Sequence, residues 1–267
     1  MSGQDAAFAG SIPQIYDECL VPVLFEPFAQ DIARAAAGAW TGGEVLEIAA
    51  GTGAVTAILA EALPDARIVA TDLNADMVAR AKAMHDLANV TWQVADAQTL
   101  PFADARFGLI VCQFGVMFFP DRVGAYREMR RVLRTGGELL FNVWDSLDAN
   151  PGSDAVHRAL ADLLPEPKPG FLARTPFGHH DRARIAEELR AGGFGDCAIE
   201  EVRLFSPPNS GARLLRGLTE GSPLKAEIAP HSPAVCEAAL ARAQAELDSL
   251  EAAGPLAMTA LRVRAVA

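Results

Sequence analysis

The sequence predicts an α/β protein in which helices cover both faces of a largely parallel sheet. Short apolar runs rich in β-branched residues alternate with amphipathic segments, which is typical of repeated strand–helix–strand units. A glycine-containing turn follows the first apolar run, and acidic residues lie in or just after the first three. At 267 residues and 51% hydrophobic content, the chain can bury one substantial core.

The first apolar run and its turn read VLEIAAGTGAVT over residues 45–56. Gly51 and Gly53 have no Cβ, so the backbone there can turn sharply and approach a ligand closely. Glu47, near the carboxyl end of the strand, can accept hydrogen bonds from a cationic group or order the turn. This arrangement indicates a nucleoside cofactor site, although a single glycine turn is a weak signal by itself.

The ends of the next strands strengthen that interpretation. RIVATD ends in Asp72, about twenty residues beyond the turn, where a βαβ unit delivers a carboxylate to ribose hydroxyls. VTWQV is followed by Asp96 and Ala97, which could meet the exocyclic amine and the face of an adenine. A nicotinamide-binding fold is disfavoured because Thr56 occupies the position of its third glycine.

Five segments between roughly residues 40 and 145 resemble the class I S-adenosylmethionine-dependent methyltransferases, of the small-molecule kind that includes ubiquinone and menaquinone biosynthesis C-methyltransferases. They are VLEIAAGTGAVT, VATDLNADMVARAK, VADAQTLPF, FGLIVCQFGVMFFPD and RVLRTGGELLFNVW. The resemblance implies a Rossmann-like seven-stranded sheet, with the last strand antiparallel between the fifth and sixth, and a helical cap built from insertions. Two positions depart from the family pattern: Ala49 replaces the usual first glycine and Thr135 the usual proline.

The implied cofactor is S-adenosylmethionine, with S-adenosylhomocysteine as its product. Three acids at strand ends suit this cofactor better than they suit a pyrophosphate ligand, because S-adenosylmethionine carries a cation and a ribose and has no phosphate. By resemblance, the N-terminal segment folds over the cofactor with Tyr16 near the methionine end, although Tyr16 could instead only cover the sheet edge. The predicted cofactor contacts are Tyr16, Glu47, Ala49, Gly51, Thr52, Gly53, Asp72, Leu73, Met77, Asp96, Ala97 and Gln113.

The rest of the chain divides by the same patterns. Helices are expected over residues 55–63, 75–87, 121–133 (ended by Gly136 and Gly137), 153–164, 181–191, 211–218 and 234–251, and later strands over 138–144, 198–205 and from Thr259. The expected organisation is an N-terminal helical cover (1–40), a cofactor-binding core (41–146), a cap insertion (147–180), a core helix and strand (181–205), a second cap insertion (206–256) and the last core strand (257–267).

Methyl transfer from a sulfonium mainly requires that donor and acceptor be held in line with water excluded. A base is needed only if the acceptor must lose a proton, and His179 and His180 are weak candidates that could equally be structural. Phe114, Met117 and Phe118 follow the fourth strand and could line an apolar substrate pocket or belong to the core.

Bulk properties narrow the partner. A net charge of −11 disfavours nucleic acid, whose binding depends on cationic contacts. Four scattered cysteines indicate neither a zinc site nor a disulfide framework, and metal dependence is not expected. The beginning of the chain lacks a secretory pattern, and its apolar runs are too short to cross a bilayer, so we expect a cytoplasmic protein without membrane insertion.

These observations predict methyl transfer to a small, apolar or aromatic acceptor. Residues 112–115 read CQFG instead of the Asn- or Asp-Pro-Pro-Tyr motif of amino-methylating enzymes, which favours O- or C-methylation. Two alternatives stay open: a non-catalytic cofactor-binding module whose cap recognises a protein partner, and a methyltransferase that acts on proteins or peptides.

Overall fold

The computed structural model describes residues 12–267, and residues 1–11, part of the predicted cover, lie outside them. The strands are β1 Glu44–Ile48, β2 Ile68–Asp72, β3 Val90–Val94, β4 Phe107–Gln113, β5 Leu133–Trp144, β6 Cys197–Phe205 and β7 Ala257–Val266. The helices are α1 Ile12–Ile15, α2 Glu26–Ala39, α3 Ala54–Ala62, α4 Ala75–Met84, α5 Arg122–Val132, α6 Pro151–Leu163, α7 Phe171–Arg174, α8 Arg182–Ala191, α9 Gly211–Glu220, α10 Leu224–Ile228 and α11 Pro233–Ala252, with a π-helical segment at Tyr16–Phe25 and 3₁₀ turns at Val116–Phe118 and Leu147–Ala149.

The seven strands form one sheet in the order β3-β2-β1-β4-β5-β7-β6. The pairs β1–β2, β1–β4, β2–β3 and β4–β5 are parallel. Strand β7 is antiparallel to β5, because Gly136 at the start of β5 bonds Ala267, whereas Asp145, just after β5, bonds Thr259. The carboxyl ends of five adjacent strands, β3 to β5, therefore meet at one edge of the sheet.

The chain divides into two compact units. Unit 2 comprises residues 28–143, 180–202 and 261–267. Its core forms where β1, β2, β4 and β5 pack against α2 and α3, because both helices present apolar residues at helical spacing. The buried residues of this cluster are Ala29, Ile32, Ala33, Ala36, Ala39, Val45, Val55, Leu59, Ala60, Leu63, Ala66, Ile68, Leu109, Val111 and Leu140.

Side-chain caps fix where three helices of unit 2 begin. The Asn74 side chain accepts from the backbone N–H groups of residues 76 and 77 at the start of α4. Asp121 caps α5, and Asp181 caps α8 in the same way. Such caps satisfy backbone donors that have no partner inside the helix, so each helix begins at a defined residue beside the sheet.

Among the described residues, unit 1 comprises residues 12–27, 144–179 and 203–260 and is mainly helical. Carboxylates organise its turns: Glu251 accepts from the N–H groups of Ser210 and Gly211 at the start of α9, at 2.6 and 3.0 Å. Glu227 likewise accepts from the N–H groups of Gly170 and Phe171. These contacts hold segments that are far apart in the sequence.

Several sequence expectations differ from the structure. Gly136 and Gly137 do not end α5: the helix ends at Val132, and both glycines lie inside β5, where they pair with Ala267. Helix α10 was not expected, since its apolar pattern is only five residues long. Of the segment predicted as an N-terminal cover, residues from Phe28 onward group with unit 2, and the predicted division into domains stays a prediction.

Among the residues that the structure describes, no helix combines the length and the apolar character needed to cross a bilayer.

Candidate cofactor-binding site

A row of polar side chains lies at the carboxyl ends of the five adjacent strands in unit 2, and we call it the carboxyl-edge row. In the order of the sheet from β3 to β5, its members are Asp96, Asp72, Glu47, Gln113 and Asn142. Asp72 and Gln113 are the last residues of β2 and β4, and Asp96 follows β3 by two residues. Glu47 and Asn142 lie one and two residues before the ends of β1 and β5. Crevices at this edge of an open α/β sheet are the usual ligand sites of such folds.

Asp72 ties the end of β2 to the glycine turn. Its Oδ2 accepts from the Gly51 N–H at 2.8 Å, and its Oδ1 accepts from the Asn74 N–H at 2.8 Å. Burial raises the pKa of Asp72, while these backbone donors oppose that shift. Each carboxylate oxygen can accept more than one hydrogen bond, so Asp72 can hold the turn and still accept from a ligand hydroxyl.

Glu47 is buried, with only 1% of the residue exposed, and does not point into solvent. Burial raises the pKa of Glu47 to about 8, the charge of Asp72 adds to this shift, and the Thr56 hydroxyl opposes it. No described residue forms a hydrogen bond to Glu47 Oε2. A buried carboxyl group with an unused oxygen can accept from a ligand donor.

The two glycines of the turn have different roles. Gly51 has φ 56°, and a Cβ built on it would have open space around it. Gly53 has φ 88°, and its Cβ would lie 2.6 Å from Trp92 Cη2 and 2.8 Å from His85 Cδ2. At Gly53 the space that a Cβ would need is therefore filled by the protein, and the predicted cofactor contacts of both glycines stay predictions.

His85 and Trp92 support the turn from the far side. Nε2 of His85 lies 3.1 Å from the carbonyl oxygen of Thr52, and because a carbonyl only accepts, this nitrogen carries the proton. The two rings stack at 6.4 Å and 20°. His85 directly follows α4, and nothing in the local sequence pattern links it to a turn more than thirty residues earlier in the chain.

Ala49 adopts φ 57°, the left-handed conformation that favours glycine. A Cβ on Gly115 would overlap the Ala49 methyl group and lie 2.8 Å from Cys112 Sγ. Gly115 thus leaves room for the methyl group by which Ala49 departs from the family pattern.

The β3 side of the edge is built from local backbone contacts. Asp96 Oδ1 accepts from the Gln98 N–H at 2.8 Å, which fixes the turn after β3. Ala97 and Met77 are buried, whereas Leu73 is 63% exposed beside Asp72. An exposed leucine at a strand end offers an apolar surface to a planar ligand group.

The aromatic cluster after β4 is mostly buried. Phe114 packs edge-on against Phe28 with ring centroids 5.4 Å apart, Met117 is buried, and Phe118 is half-buried. Phe114 also has φ 52°, and its N–H donates to the Asn142 carbonyl oxygen at 3.0 Å. This geometry holds the cluster beside the end of β5, and its role as a substrate pocket stays a prediction.

The remaining site candidates fall in different units. Tyr16 belongs to unit 1, where it stacks on Phe25 at 5.0 Å and 22°. His179 is buried in unit 1, whereas His180 is exposed and begins a segment of unit 2. Over residues 12–267, no three His, Cys, Asp or Glu side chains are grouped as metal ligands would be.

Fold and edge together define a Rossmann-like nucleoside-binding protein: parallel strands, a glycine turn after β1, and an acid at the end of β2. Comparison with known proteins identifies the family. A family model described as a methyltransferase domain matches residues 45–137. A ubiquinone/menaquinone biosynthesis C-methyltransferase of Desulfotalea psychrophila is 34% identical over 178 residues, which cover 61% of this chain and 70% of that protein.

The chain belongs to the class I S-adenosylmethionine-dependent methyltransferases, and the family and fold class predicted from the sequence are confirmed. An uncharacterized protein of Mycobacterium tuberculosis (strain ATCC 25618 / H37Rv) is 39% identical over 115 residues, 42% of this chain. That match spans only 41% of the mycobacterial protein.

A solved structure shares the fold. Haemonchus contortus phosphoethanolamine N-methyltransferase 2, in complex with S-adenosyl-L-methionine, superposes with a TM-score of 0.58 at 18% identity. The superposition covers 96% of this chain and 56% of that one. At this identity the likeness concerns the fold alone.

Proposed function

We propose that the protein transfers a methyl group from S-adenosylmethionine to a small, uncharged, apolar or aromatic acceptor by O- or C-methylation. The observation that carries this proposal is the carboxyl-edge row in unit 2, where a carboxylate that accepts from Gly51 and Asn74 stands beside a buried carboxyl group with an unused oxygen. Family membership supplies the reaction class, and the row supplies the binding groups.

The residues present fit this cofactor. Open space beside Gly51 leaves room for a ligand against the turn. Asp72 is placed to accept from ribose hydroxyls, and Leu73, Asp96 and Ala97 to meet the adenine. No described residue bonds Glu47 Oε2, and we propose that it accepts from the ammonium group of the methionine portion, whose charge would favour ionisation of this carboxyl group.

Ala49, Thr52, Gly53 and Gln113 would line the cofactor from the turn and from β4, with Met77 at the start of α4. When bound, S-adenosylmethionine supplies a methyl group on a sulfonium, which is already activated for transfer. The chain therefore has to bind, orient and exclude water rather than polarise the donor. The catalytic base, if the acceptor requires one, stays unknown, with His179 and His180 as weak candidates for that role.

The acceptor class rests on charge and on the β4 end. Phe114, Met117 and Phe118 offer apolar surface there, and a net charge of −11 disfavours polyanionic partners. We propose that the enzyme is cytoplasmic, acts on a small molecule and binds no metal. Tyr16 is the proposed cofactor contact from the N-terminal segment.

The proposal is tested by product analysis. The full chain is incubated with S-adenosylmethionine and naphthalene-1,4-diol, catechol or a lysine-rich peptide, and S-adenosylhomocysteine and methylated products are measured by mass spectrometry. We expect a singly methylated diol or catechol from the wild type and none from Asp72→Ala. Cofactor binding without any product would favour the non-catalytic module, and methylation of the peptide alone would favour the protein methyltransferase.

A further inference from the structure

Asn142 is a buried amide that the structure leaves without a hydrogen bond. Only 1% of the residue is exposed, and within residues 12–267 neither Nδ2 nor Oδ1 has a hydrogen-bond partner. A buried amide without partners costs about 1–3 kcal/mol, and native proteins rarely keep one without a reason. A ligand that completes both bonds is such a reason.

The position of Asn142 points to the same conclusion. It lies on β5 directly across from Gln113 of β4, so it is the last member of the carboxyl-edge row. Asn142 and Leu140 share one face of the sheet, because side chains alternate along a strand, and Val111 packs on that face with Leu140. Glu47, two residues after Val45 of the same cluster, also lies on this face.

The sheet order separates Asn142 from the proposed nucleoside contacts. Adjacent strands lie about 4.8 Å apart, so Asn142 is two strands, about 10 Å, beyond Glu47 and three beyond Asp72. The proposed adenine and ribose contacts lie on the opposite side of Glu47. A ligand group at Asn142 therefore belongs to the end of the row where the acceptor would meet the methyl donor.

We propose that Asn142 is an acceptor-binding residue whose carboxamide hydrogen-bonds an uncharged hydroxyl or carbonyl group of the substrate and thereby orients it. This inference rests on the proposed function and refines its substrate class. A carboxamide offers one acceptor and two donors without charge, which suits a hydroxyl or carbonyl oxygen. A carboxamide carries no charge with which to neutralise a phosphate or ammonium group, so Asn142 would not prefer either.

The first test measures stability in the absence of ligand. Asn142→Leu replaces the amide by an apolar group of similar size, and we expect its Tm to rise by about 2–4 °C above the wild type. Asn150→Leu is the matched control: Asn150 is also buried, but its amide bonds Ser146 and Thr259 at 2.9 to 3.0 Å, so its Tm should fall. A fall for Asn142→Leu as well would make Asn142 a structural residue and overturn the proposal.

The second test measures ligand binding by calorimetry. S-adenosylhomocysteine should bind the wild type and Asn142→Leu equally within about twofold. The wild-type complex with S-adenosylhomocysteine should bind naphthalene-1,4-diol, kept reduced, and Asn142→Leu should weaken this binding about tenfold, the equivalent of one lost hydrogen bond. Phosphoethanolamine should not compete.

The outcomes separate the two claims. If the wild type fails to bind S-adenosylhomocysteine, the proposed function is wrong and this inference falls with it. If S-adenosylhomocysteine binds, but the diol binds neither protein, binds both equally, or is displaced by phosphoethanolamine, the role of Asn142 is wrong and the proposed function stands.

Discussion

The two ends of the carboxyl-edge row are held in different ways. At the β2–β3 end, Asp72 and Asp96 accept from nearby backbone N–H groups, so their carboxylates are fixed by the turns they follow. At the β5 end, the amide of Asn142 has no partner among the described residues. The β2–β3 end of the edge is thus completed by its own chain, whereas the β5 end is where we propose that an acceptor binds.

Among substitutions at the β2–β3 end of the row, we expect Asp72→Ala to lower the affinity for the cofactor most. Asp72→Ala removes the acceptor of the Gly51 and Asn74 N–H groups together with the proposed ribose contact. Each hydrogen bond to a charged group is worth about 1.5–3 kcal/mol, so affinity for S-adenosylhomocysteine should fall by more than about 100-fold. Calorimetry measures the loss, with Asp65→Ala, an exposed acid after α3, as the control that should bind normally.

Glu47 lies between the two ends of the row, and its protonation should make the stability of the fold depend on pH. Its folded pKa of about 8 lies above its ordinary 4.5, so the stability that the protonated carboxyl contributes is fully present below about pH 4.5 and is lost as pH rises to about 8. At pH 7 this loss is about 3 kcal/mol. Glu47→Gln should therefore raise the Tm at pH 7 by about 6–12 °C and leave it unchanged at pH 4.

The control for Glu47 is Glu61→Gln on the exposed side of α3, whose Tm should match that of the wild type at each of the two pH values. Equal melting of Glu47→Gln and the wild type at pH 7 would mean that Glu47 is ionised in the fold.

Substitutions at the two glycines of the turn should have different effects, one mainly on stability and the other mainly on cofactor binding. Gly53→Ala drives a Cβ against Trp92 and His85 and also meets the strain of a φ of 88°, so together these should cost about 2–5 kcal/mol of the free energy of unfolding. Gly51→Ala meets open space and should cost only about 1–2 kcal/mol for its positive φ, but it should weaken S-adenosylhomocysteine binding more, because the methyl group enters the proposed cofactor space. Chemical denaturation and calorimetry on both variants test this; the reverse ranking would contradict it.

A smaller effect is expected at His85. His85→Ala removes the bond to the Thr52 carbonyl oxygen and should weaken S-adenosylhomocysteine binding about three- to tenfold by loosening the turn. His85→Gln can still donate an N–H there and should recover part of the affinity. If both variants bind equally weakly, ring packing on Trp92 rather than the hydrogen bond supports the turn.

The proposed cofactor contacts on β1 to β3 could be named from the sequence, because they lie in or just after apolar runs, and their role stays a prediction. Asp72 and Asp96 could be found in this way, and the strand order implied by the family resemblance matches the sheet. The packing around the turn could not be predicted, since His85 and Trp92 reach Gly53 only through tertiary contacts.

The role proposed for Asn142, at the β5 end of the row, could not be predicted from the sequence. Asn142 lies within a strand whose apolar pattern gives no sign that its amide is unpartnered, and only the register with Gln113 places it in the row. Burial of Glu47 likewise depends on what packs over β1 rather than on its neighbours in the chain. Turn residues can therefore be predicted from the local sequence. The hydrogen-bond partners of an isolated polar side chain inside a strand can be known only from the three-dimensional structure.

The most direct test is a crystal structure of the full chain with S-adenosylhomocysteine. We expect its ribose hydroxyls on Asp72, its adenine beside Leu73, Asp96 and Ala97, and its sulfur toward Gln113 of β4, with Asn142 left for an acceptor. A ligand bound away from Asp72, or one whose amino acid portion lies at Asp96 and whose adenine lies at Gln113, would contradict this expectation.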